Sequence, residues 1–338
     1  MKINQSDLAK KLNISKSTIS RALANDPKIK KSTRKKVHNL AKKLNYLPNL
    51  VAKSLKNNKS NFVGLFINDI TNPFYPEIVK GIEETADING YNIILCATNY
   101  TPGKEIKYIN VLNSHNVEGI IIITYLNYSS LKLLKKYEIP FVLTDIKSTN
   151  RVSSFNVFID QERAGFIATE YLISLNHAKI ALLTAPSSIF SSGKYFKKGY
   201  IKALNKYKLN VNNDYIIEEK ENLMKGGGYR ALKYLLTFKK NEIPTGIICI
   251  SDIAAIGAYE AIYESNYNIP KNFSIIGNDN IEVSKYLQPP LTTVSQQNYT
   301  LGKESFNLLL NVINKIDIDK KDIKLLPELI IRESTRQI

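Results

Sequence analysis

The sequence predicts a small all-α domain with a helix-turn-helix, followed by an α/β core of two parallel-sheet lobes. Three observations carry this. Of a net charge of +17, residues 1–60 hold 14 Lys and 2 Arg against only Asp7 and Asp26, an excess of +14. Within that stretch apolar residues recur at helical spacing. Beyond it, near-continuous apolar runs such as Gly119-Ile120-Ile121-Ile122-Ile123 and Gly246-Ile247-Ile248-Cys249-Ile250 alternate with helical patterns, as parallel strands covered on both faces do. A chain of 338 residues is also longer than one hydrophobic core usually organises.

Residues Gln5–Leu12 place Leu8, Ala9 and Leu12 on one helical face, with Asn4 as N-cap. Asn13 makes the turn and Ser15 caps a second helix, Lys16–Ala24. There Ile19 and Leu23 face inward at i, i+4, while Ser17 and Arg21 point away and Lys16 sits at the open N-terminal end. A short helix offering Lys16, Ser17 and Arg21 from a basic domain suits a polyanion groove, in which Arg can read a guanine edge. Pro27 closes the pair. A third helix, Lys31–Leu44, buries Val37, Leu40, Ala41 and Leu44 and exposes Arg34, Lys35, Lys36, Lys42 and Lys43. A merely solubilising basic tail would carry the charge without this folding pattern.

In the core, strands are expected at Phe62–Ile67, Tyr91–Thr98, Gly119–Thr124 and Phe141–Thr144, with helices at Phe74–Ile88, Lys104–Ser114 and Leu131–Lys136. A second series follows: strand Lys179–Thr184, helices Tyr195–Asn205 and Gly227–Leu235, strand Gly246–Ile250, helix Ile253–Tyr263 and strand Ser274–Gly277. Two such series imply two lobes.

Other classes find little support. No run of about eighteen apolar residues suggests a membrane span, and no secretory leader is recognised, so a cytoplasmic protein is expected. Cys96 and Cys249 sit in apolar runs and read as small buried hydrophobes. His38, His115 and His177 are far apart and lack metal-ligand spacing. Gly226-Gly227-Gly228 lacks the Lys-Ser/Thr of a phosphate loop and reads as a loop and helix start. No cofactor motif and no nucleophile–base pair is found, so no enzymatic activity is expected. Two alternatives stay open: an exported binding protein, which the basic N-terminal domain opposes, and an α/β enzyme with a DNA-binding appendage, which turnover of a cleft ligand would reveal.

The strings Asp7-Leu8-Ala9, Ile14-Ser15-Lys16-Ser17-Thr18-Ile19-Ser20-Arg21, Ser32-Thr33-Arg34-Lys35-Lys36-Val37 and Leu44-Asn45-Tyr46-Leu47-Pro48-Asn49 resemble the headpiece of the LacI–GalR repressors over about fifty residues. The resemblance implies DNA contacts from Ser6, Ser15, Lys16, Ser17, Thr18, Arg21, Thr33 and Arg34. It continues through Asn49-Leu50-Val51-Ala52-Lys53-Ser54-Leu55, which matches the hinge helix of that family. That segment is too short to be stable alone; Asn49 would cap it, Ala52 would face the partner hinge, and Leu55 would wedge into the minor groove.

Ile67-Asn68-Asp69-Ile70-Thr71-Asn72-Pro73-Phe74-Tyr75, Val117-Glu118-Gly119, Lys198-Gly199-Tyr200, Ile256-Gly257-Ala258, Ile275-Ile276-Gly277-Asn278-Asp279-Asn280 and Pro289-Pro290-Leu291-Thr292-Thr293-Val294 are similar, in order, to the sensor core of the same family. This implies a periplasmic-binding-protein-like core of two Rossmann-like lobes with crossovers near residues 160, 290 and 320. The expected division is 1–47 headpiece, 48–60 hinge and linker, 61–160 with 290–320 first lobe, and 161–289 with 321–338 second lobe. A small-molecule effector would bind between the lobes of a homodimer on a pseudo-palindromic operator. Position by position, the resemblance implies effector contacts from Asn72, Phe74 and Asp279, with Asp145 and Asp160 at the cleft edge. The departures are Phe196 where a basic residue is expected, with Lys197 adjacent, Leu223 where an aromatic often stacks, and Ser251 in place of Asn. Phe cannot replace the fixed fork of donors of an Arg, so an unmodified hexose or a standard purine held in the familiar way is not expected. One branch of the family also senses a phosphorylated carrier protein through an Arg that is Gln288 here, which argues against that partner.

Overall fold

The computed structural model describes residues 3–46, 60–123, 128–145, 154–187, 191–218, 224–318 and 321–338. The chain separates into two compact units, Met1–Ser60 and Asn61–Ile338.

In the first unit, α1 (Gln5–Leu12) starts on a reciprocal cap. The Asn4 side chain accepts from the Ser6 and Asp7 amides, and the Asp7 carboxylate accepts from the Asn4 amide at 2.9 Å. Asn13, at φ 52°, ends the helix in the left-handed region that Asn tolerates. Ser15 caps α2 (Lys16–Leu23) by accepting from the Thr18 amide at 3.1 Å. With α3 (Lys31–Lys43) these helices bury Leu8, Ile19, Ala22, Val37, Ala41 and Tyr46. Ala22 takes the central place expected of Leu23, which is half-buried.

The second unit holds two six-stranded sheets. The first, ordered β11-β5-β4-β3-β1-β2, is wholly parallel: β1 (Phe62–Ile67), β2 (Asn92–Ala97), β3 (Gly119–Ile122), β4 (Phe141–Thr144), β5 (Phe155–Ile159) and β11 (Asp322–Leu325). The second, ordered β12-β10-β9-β8-β6-β7, is parallel except at its edge: β6 (Ile180–Thr184), β7 (Ile216–Glu218), β8 (Gly246–Cys249), β9 (Ser274–Asp279), β10 (Thr292–Ser295) and the antiparallel β12 (Glu328–Ile330). The connecting helices are α4 (Tyr75–Ile88), α5 (Lys104–Ser114), α6 (Tyr128–Lys136), α7 (Gln161–Ser174), α8 (Ser191–Lys206), α9 (Lys225–Leu235), α10 (Asp252–Glu264) and α11 (Asn298–Ile313). Helix α9 starts at Lys225, two residues before its predicted start at Gly227, so the Gly226–Gly228 triplet lies in its first turn.

Two of the expected lobe boundaries are corrected. Residues 292–295 belong to the second sheet, because β10 continues the ladder from β9, pairing Thr292 with Ile276. Residues 322–325 belong to the first, because β11 pairs with β5. The chain therefore changes lobe at Asp160, at Gln296–Gln297 and at Leu326–Pro327. All three points lie where a strand of the parallel run ends, so the carboxyl ends of both sheets meet at the crossovers, where ligands of open α/β sheets bind.

Three helix pairs meet backbone to backbone through reciprocal glycines. A Cβ on Gly81 of α4 would lie 2.2 Å from the Tyr299 carbonyl oxygen of α11, and one on Gly302 would lie 2.1 Å from that of Ile78. Gly165 and Gly199 join α7 to α8 in the same way, and Gly228 and Gly257 join α9 to α10.

Candidate DNA-reading surface and effector cleft

On α2, burial of Ile19 and Ala22 leaves Lys16, Ser17 and Arg21 exposed and Thr18 half-buried. The Arg21 side chain is 60% exposed and lies 4.0 Å from Asp26, a pairing weak enough in water to leave the guanidinium available. Ser15 caps the helix and its hydroxyl is 2.7 Å from that of Ser17. Ser6 is half-buried in the first turn of α1, and Thr33 is half-buried on α3. Arg34, expected to be exposed, is corrected: it is half-buried and donates from Nη1 to the Asn25 carbonyl at 3.1 Å, beside the 3.1 Å contact of His38 Nε2 with Asn25 Oδ1. It ties α3 to the turn that ends α2 because Asn25, at φ 55°, turns its carbonyl out of the helical ladder. Lys35, Lys36, Lys42 and Lys43 are exposed. The hinge residues Asn49, Ala52 and Leu55 lie outside the described residues.

In the core, the polar residues just past the strand ends converge. Asp145 follows β4 at φ 60°, and Asp279 ends β9 at φ 125°, an uncommon conformation for a residue with a side chain. Asp279 is held there from several sides. Gln296 Nε2 donates to its carboxylate, and Asn298 Nδ2 donates to its carbonyl at 3.1 Å. Asp252, fully buried at the start of α10, accepts from the Ile281 amide at 2.9 Å and from the Thr293 hydroxyl, pinning the turn behind Asp279. Within the second lobe, Gln161 Nε2 donates to Gln296 Oε1 at 2.8 Å, and across the lobes Gln161 lies against Asp145. The row Asp145, Gln161, Gln296, Asp279 thus runs from the first lobe to the second.

The other expected effector residues fall into distinct roles. Asn72 Oδ1 accepts from the Phe74 amide at 3.0 Å, shaping the loop into α4. Half-buried Phe74 packs edge-on against Tyr75, with ring centroids 5.3 Å apart. Asp160 caps α7 through the Arg163 amide at 3.0 Å and accepts from Lys324 at 3.1 Å. Burial works to raise its carboxyl, but these two partners outweigh burial and hold it below its ordinary range. Both its oxygens serve the crossover. Ser251, buried, caps α10 by accepting from the Ala254 amide at 3.1 Å. Lys197 pairs with Glu218 at 3.3 Å. Leu223 lies outside the described residues. Phe196 is a correction: it is fully buried in the second-lobe core with Ala164, Leu182 and Tyr200. Three residues before Gly199, it shares the helical face that meets α7.

Reading the sequence missed Gln161, Gln296, Asn298 and Tyr75. Tyr75 is buried, and its hydroxyl is raised by that burial and further by Tyr100 and Asp145. A Gln directly after a strand end is the one available signal, and it is faint.

The buried acids favour protonation. Burial raises Asp252, and burial together with the charges of Asp252 and Asp145 raises Asp279 well above the carboxylate range. Burial pushes Asp145 up to about 7, Gln161 opposing it. Because this value lies above that of the unfolded chain, the stability tied to Asp145 is full below about pH 4 and is lost as pH rises to about 7. Asp145→Asn is therefore expected to stabilise the chain by about 2–3 kcal/mol at about pH 8 and to have no effect near about pH 4. Thermal unfolding against pH checks this; two curves that stay parallel throughout would place the carboxyl in solvent.

Among the described residues no helix is long and apolar enough to cross a membrane, and no group of His, Cys, Asp and Glu is arranged to hold a metal. Two family models match the chain: bacterial regulatory proteins of the lacI family over residues 5–49, and periplasmic binding proteins and sugar binding domain of the LacI family over residues 60–332. Catabolite control protein A of Priestia megaterium is 34% identical over 338 residues, spanning 99% of this chain and 100% of that protein. The HTH-type transcriptional repressor PurR of Histophilus somni is 32% identical over 340 residues, spanning 98% of each. Among solved structures, the Lac repressor dimer bound to operator and the anti-inducer ONPF has a TM-score of 0.87 over 99% of this chain and 100% of that one, at 24% identity. A LacI family transcriptional regulator from Enterococcus faecium with bound ribose has a TM-score of 0.72 over 82% of this chain and 99% of that one, at 31% identity. With both family models matched in order and relatives that are regulators rather than enzymes, the chain belongs to the LacI family of DNA-binding transcriptional regulators, its headpiece followed by an effector-binding core of the periplasmic-binding-protein type.

Proposed function

We propose that the protein is a repressor that binds a pseudo-palindromic operator as a homodimer and is released or recruited by a sugar-related effector held between the core lobes. The observation that carries the reading is the division of α2, with Ile19 and Ala22 inward and Lys16, Ser17 and Arg21 outward, the arrangement a recognition helix needs in the major groove. The chain's likeness to the repressor PurR of Histophilus somni supports repression, and the ribose of the Enterococcus faecium structure supports a sugar-related ligand. Arg21 and Ser17 would read bases; Ser6, Ser15, Thr33 and the lysines of α3 would hold phosphates; Asn49, Ala52 and Leu55 would form the hinge. Asp145, Asp279 and Gln296 would contact the effector, with Asn72 and Phe74 shaping the first-lobe wall.

Selection of random duplex DNA by the purified full-length chain at moderate salt tests the reading. An enriched palindrome bound two chains to one duplex supports it, and binding without sequence preference overturns it. Lys42→Ala is expected to weaken selected and scrambled duplexes alike, with a shallower salt dependence by about one counterion per chain. Fluorescence anisotropy at several salt concentrations measures both; a loss confined to the selected site would contradict a phosphate contact.

A further inference from the structure

Residues 1–60 carry two acids, Asp7 and Asp26, among 14 Lys and 2 Arg. The cap of α1 accounts for Asp7, whose carboxylate accepts from the Asn4 amide at 2.9 Å. Asp26 has no such account. It follows the C-terminus of α2, the end of a helix that disfavours negative charge. It also belongs to a domain that approaches a polyanion, where a carboxylate opposes binding. Its Oδ1 accepts from the Lys28 amide at 2.9 Å, but an Asn makes the same turn without the charge. The turn alone therefore does not call for a carboxylate.

The second carboxylate oxygen faces Arg21. Arg21 Nε lies 4.0 Å from Asp26 Oδ2, and the Asp26 amide donates to the Arg21 carbonyl at 3.0 Å, so the two residues are also joined through the backbone. Asp26 is a fixed point. Its Oδ1 is engaged by Lys28, its carbonyl accepts from the Ile29 amide at 3.0 Å, and Pro27 restricts the backbone before it. Arg34 and His38 of α3 hold the adjoining Asn25 at 3.1 Å each. Asp26 is half-buried, whereas Arg21 is exposed. A charged acceptor held in this way gives a long, mobile guanidinium one preferred direction. Because the contact is made through Nε, the two terminal nitrogens are left for the O6 and N7 of a guanine. In water the attraction is slight, but it strengthens where the groove displaces water, which is where bases are read.

We propose that Asp26 is a positioning residue for operator specificity: its carboxylate orients Arg21 for the base edge, at some cost in general affinity for DNA. This rests on the reading of Arg21 as a base contact. Anisotropy titrations of the full-length chain on selected and scrambled duplexes test it with Asp26→Asn, which keeps the turn acceptor, made alone and together with Arg21→Ala. In Asp26→Asn the ratio of selected to scrambled affinity is expected to fall about threefold to tenfold, while affinity for scrambled duplex holds or rises because a carboxylate is gone. In the Arg21→Ala chain the same substitution should leave the ratio unchanged. Asp26→Ser, a second uncharged turn acceptor, should repeat the result, and thermal unfolding establishes that each variant is folded. An unchanged ratio in Asp26→Asn overturns the proposal and leaves Arg21 a base contact. Equal falls with and without Arg21 also overturn it, since Asp26 would then act through the turn. A ratio that Arg21→Ala itself leaves unchanged overturns both readings.

Discussion

Gly199→Ala is expected to lower the melting temperature of the chain by about 5 °C, the equivalent of about 3 kcal/mol. The new Cβ would lie 1.9 Å from the Glu162 carbonyl oxygen and 2.7 Å from the Phe166 amide nitrogen. Both are backbone atoms inside α7, so no rotamer change relieves the clash and α8 must move away. The contact that would open also buries Ala164, Ala168, Phe196, Tyr200 and Leu204. Gly165 faces the Phe196 carbonyl across the same seam, so a shift that accommodates one methyl group opens packing on both sides. Gly226→Ala is the control. Its Cβ would meet only Arg230 Nη1, the far end of a flexible side chain, at 3.4 Å, and the lost chain entropy of the unfolded state favours Ala by about 0.4–1 kcal/mol. Calorimetric melting of the two variants beside the unsubstituted chain decides the matter. Equal melting temperatures for Gly199→Ala and Gly226→Ala would mean that the α7–α8 seam yields freely.

The second large effect is on DNA. Arg21→Ala is expected to cost about 1–3 kcal/mol at each half-site, hence about 2–6 kcal/mol for a dimer engaging two. That is a loss of roughly thirtyfold or more in affinity for the selected operator. Affinity for scrambled duplex should fall only slightly, because the exposed lysines of α3 are unchanged and supply the charge for any phosphate backbone. Folding should be unaffected, since Arg21 is exposed and its one ionic neighbour, Asp26, is 4.0 Å away. Anisotropy titrations with selected and scrambled duplexes separate the outcomes. Equal losses on both would make Arg21 a phosphate contact and pass the reading of bases to Ser17 and Lys16.

Much of the architecture was legible where local chemistry is strong. Asn4 and Ser15 announce α1 and α2 as caps, and the helices begin where these residues place them. Strands β3 and β8, apolar throughout, are legible because a strand covered on both faces leaves no other pattern. Helix α11 escaped because it buries polar groups along with apolar ones, Asn298 and Ser305 beside Leu301 and Phe306. Strand β11 escaped because its Asp and Lys lie on a sheet edge and look like loop. In the cleft, Asp145 and Asp279 were reached by resemblance, whereas Gln161 and Gln296 are 135 residues apart and meet only through the topology. Phe196 was misplaced by counting back from Gly199 without the helical period. One turn earlier on the same face, it had to point where Gly199 points. One expected boundary falls at Pro289-Pro290, which marks a turn within the second lobe rather than the step between lobes, since β10 follows it in the same sheet.

The crossovers also bear on how the protein is made. The first sheet is completed by β11 and the second by β12, which lie within the last seventeen residues together with Ser334, whose hydroxyl donates to the Ile275 carbonyl and accepts from the Thr292 amide at 2.7 Å. A nascent chain that has reached residue 320 therefore presents two open sheet edges, β5 and β10, with unpaired amides and carbonyls. Neither lobe can close until residues 322–330 have been made, so the two lobes mature together instead of one after the other. The headpiece, whose helices lie within residues 5–43, is free to fold long before, and for most of its synthesis the growing chain carries a finished DNA-reading domain ahead of an unfinished sensor.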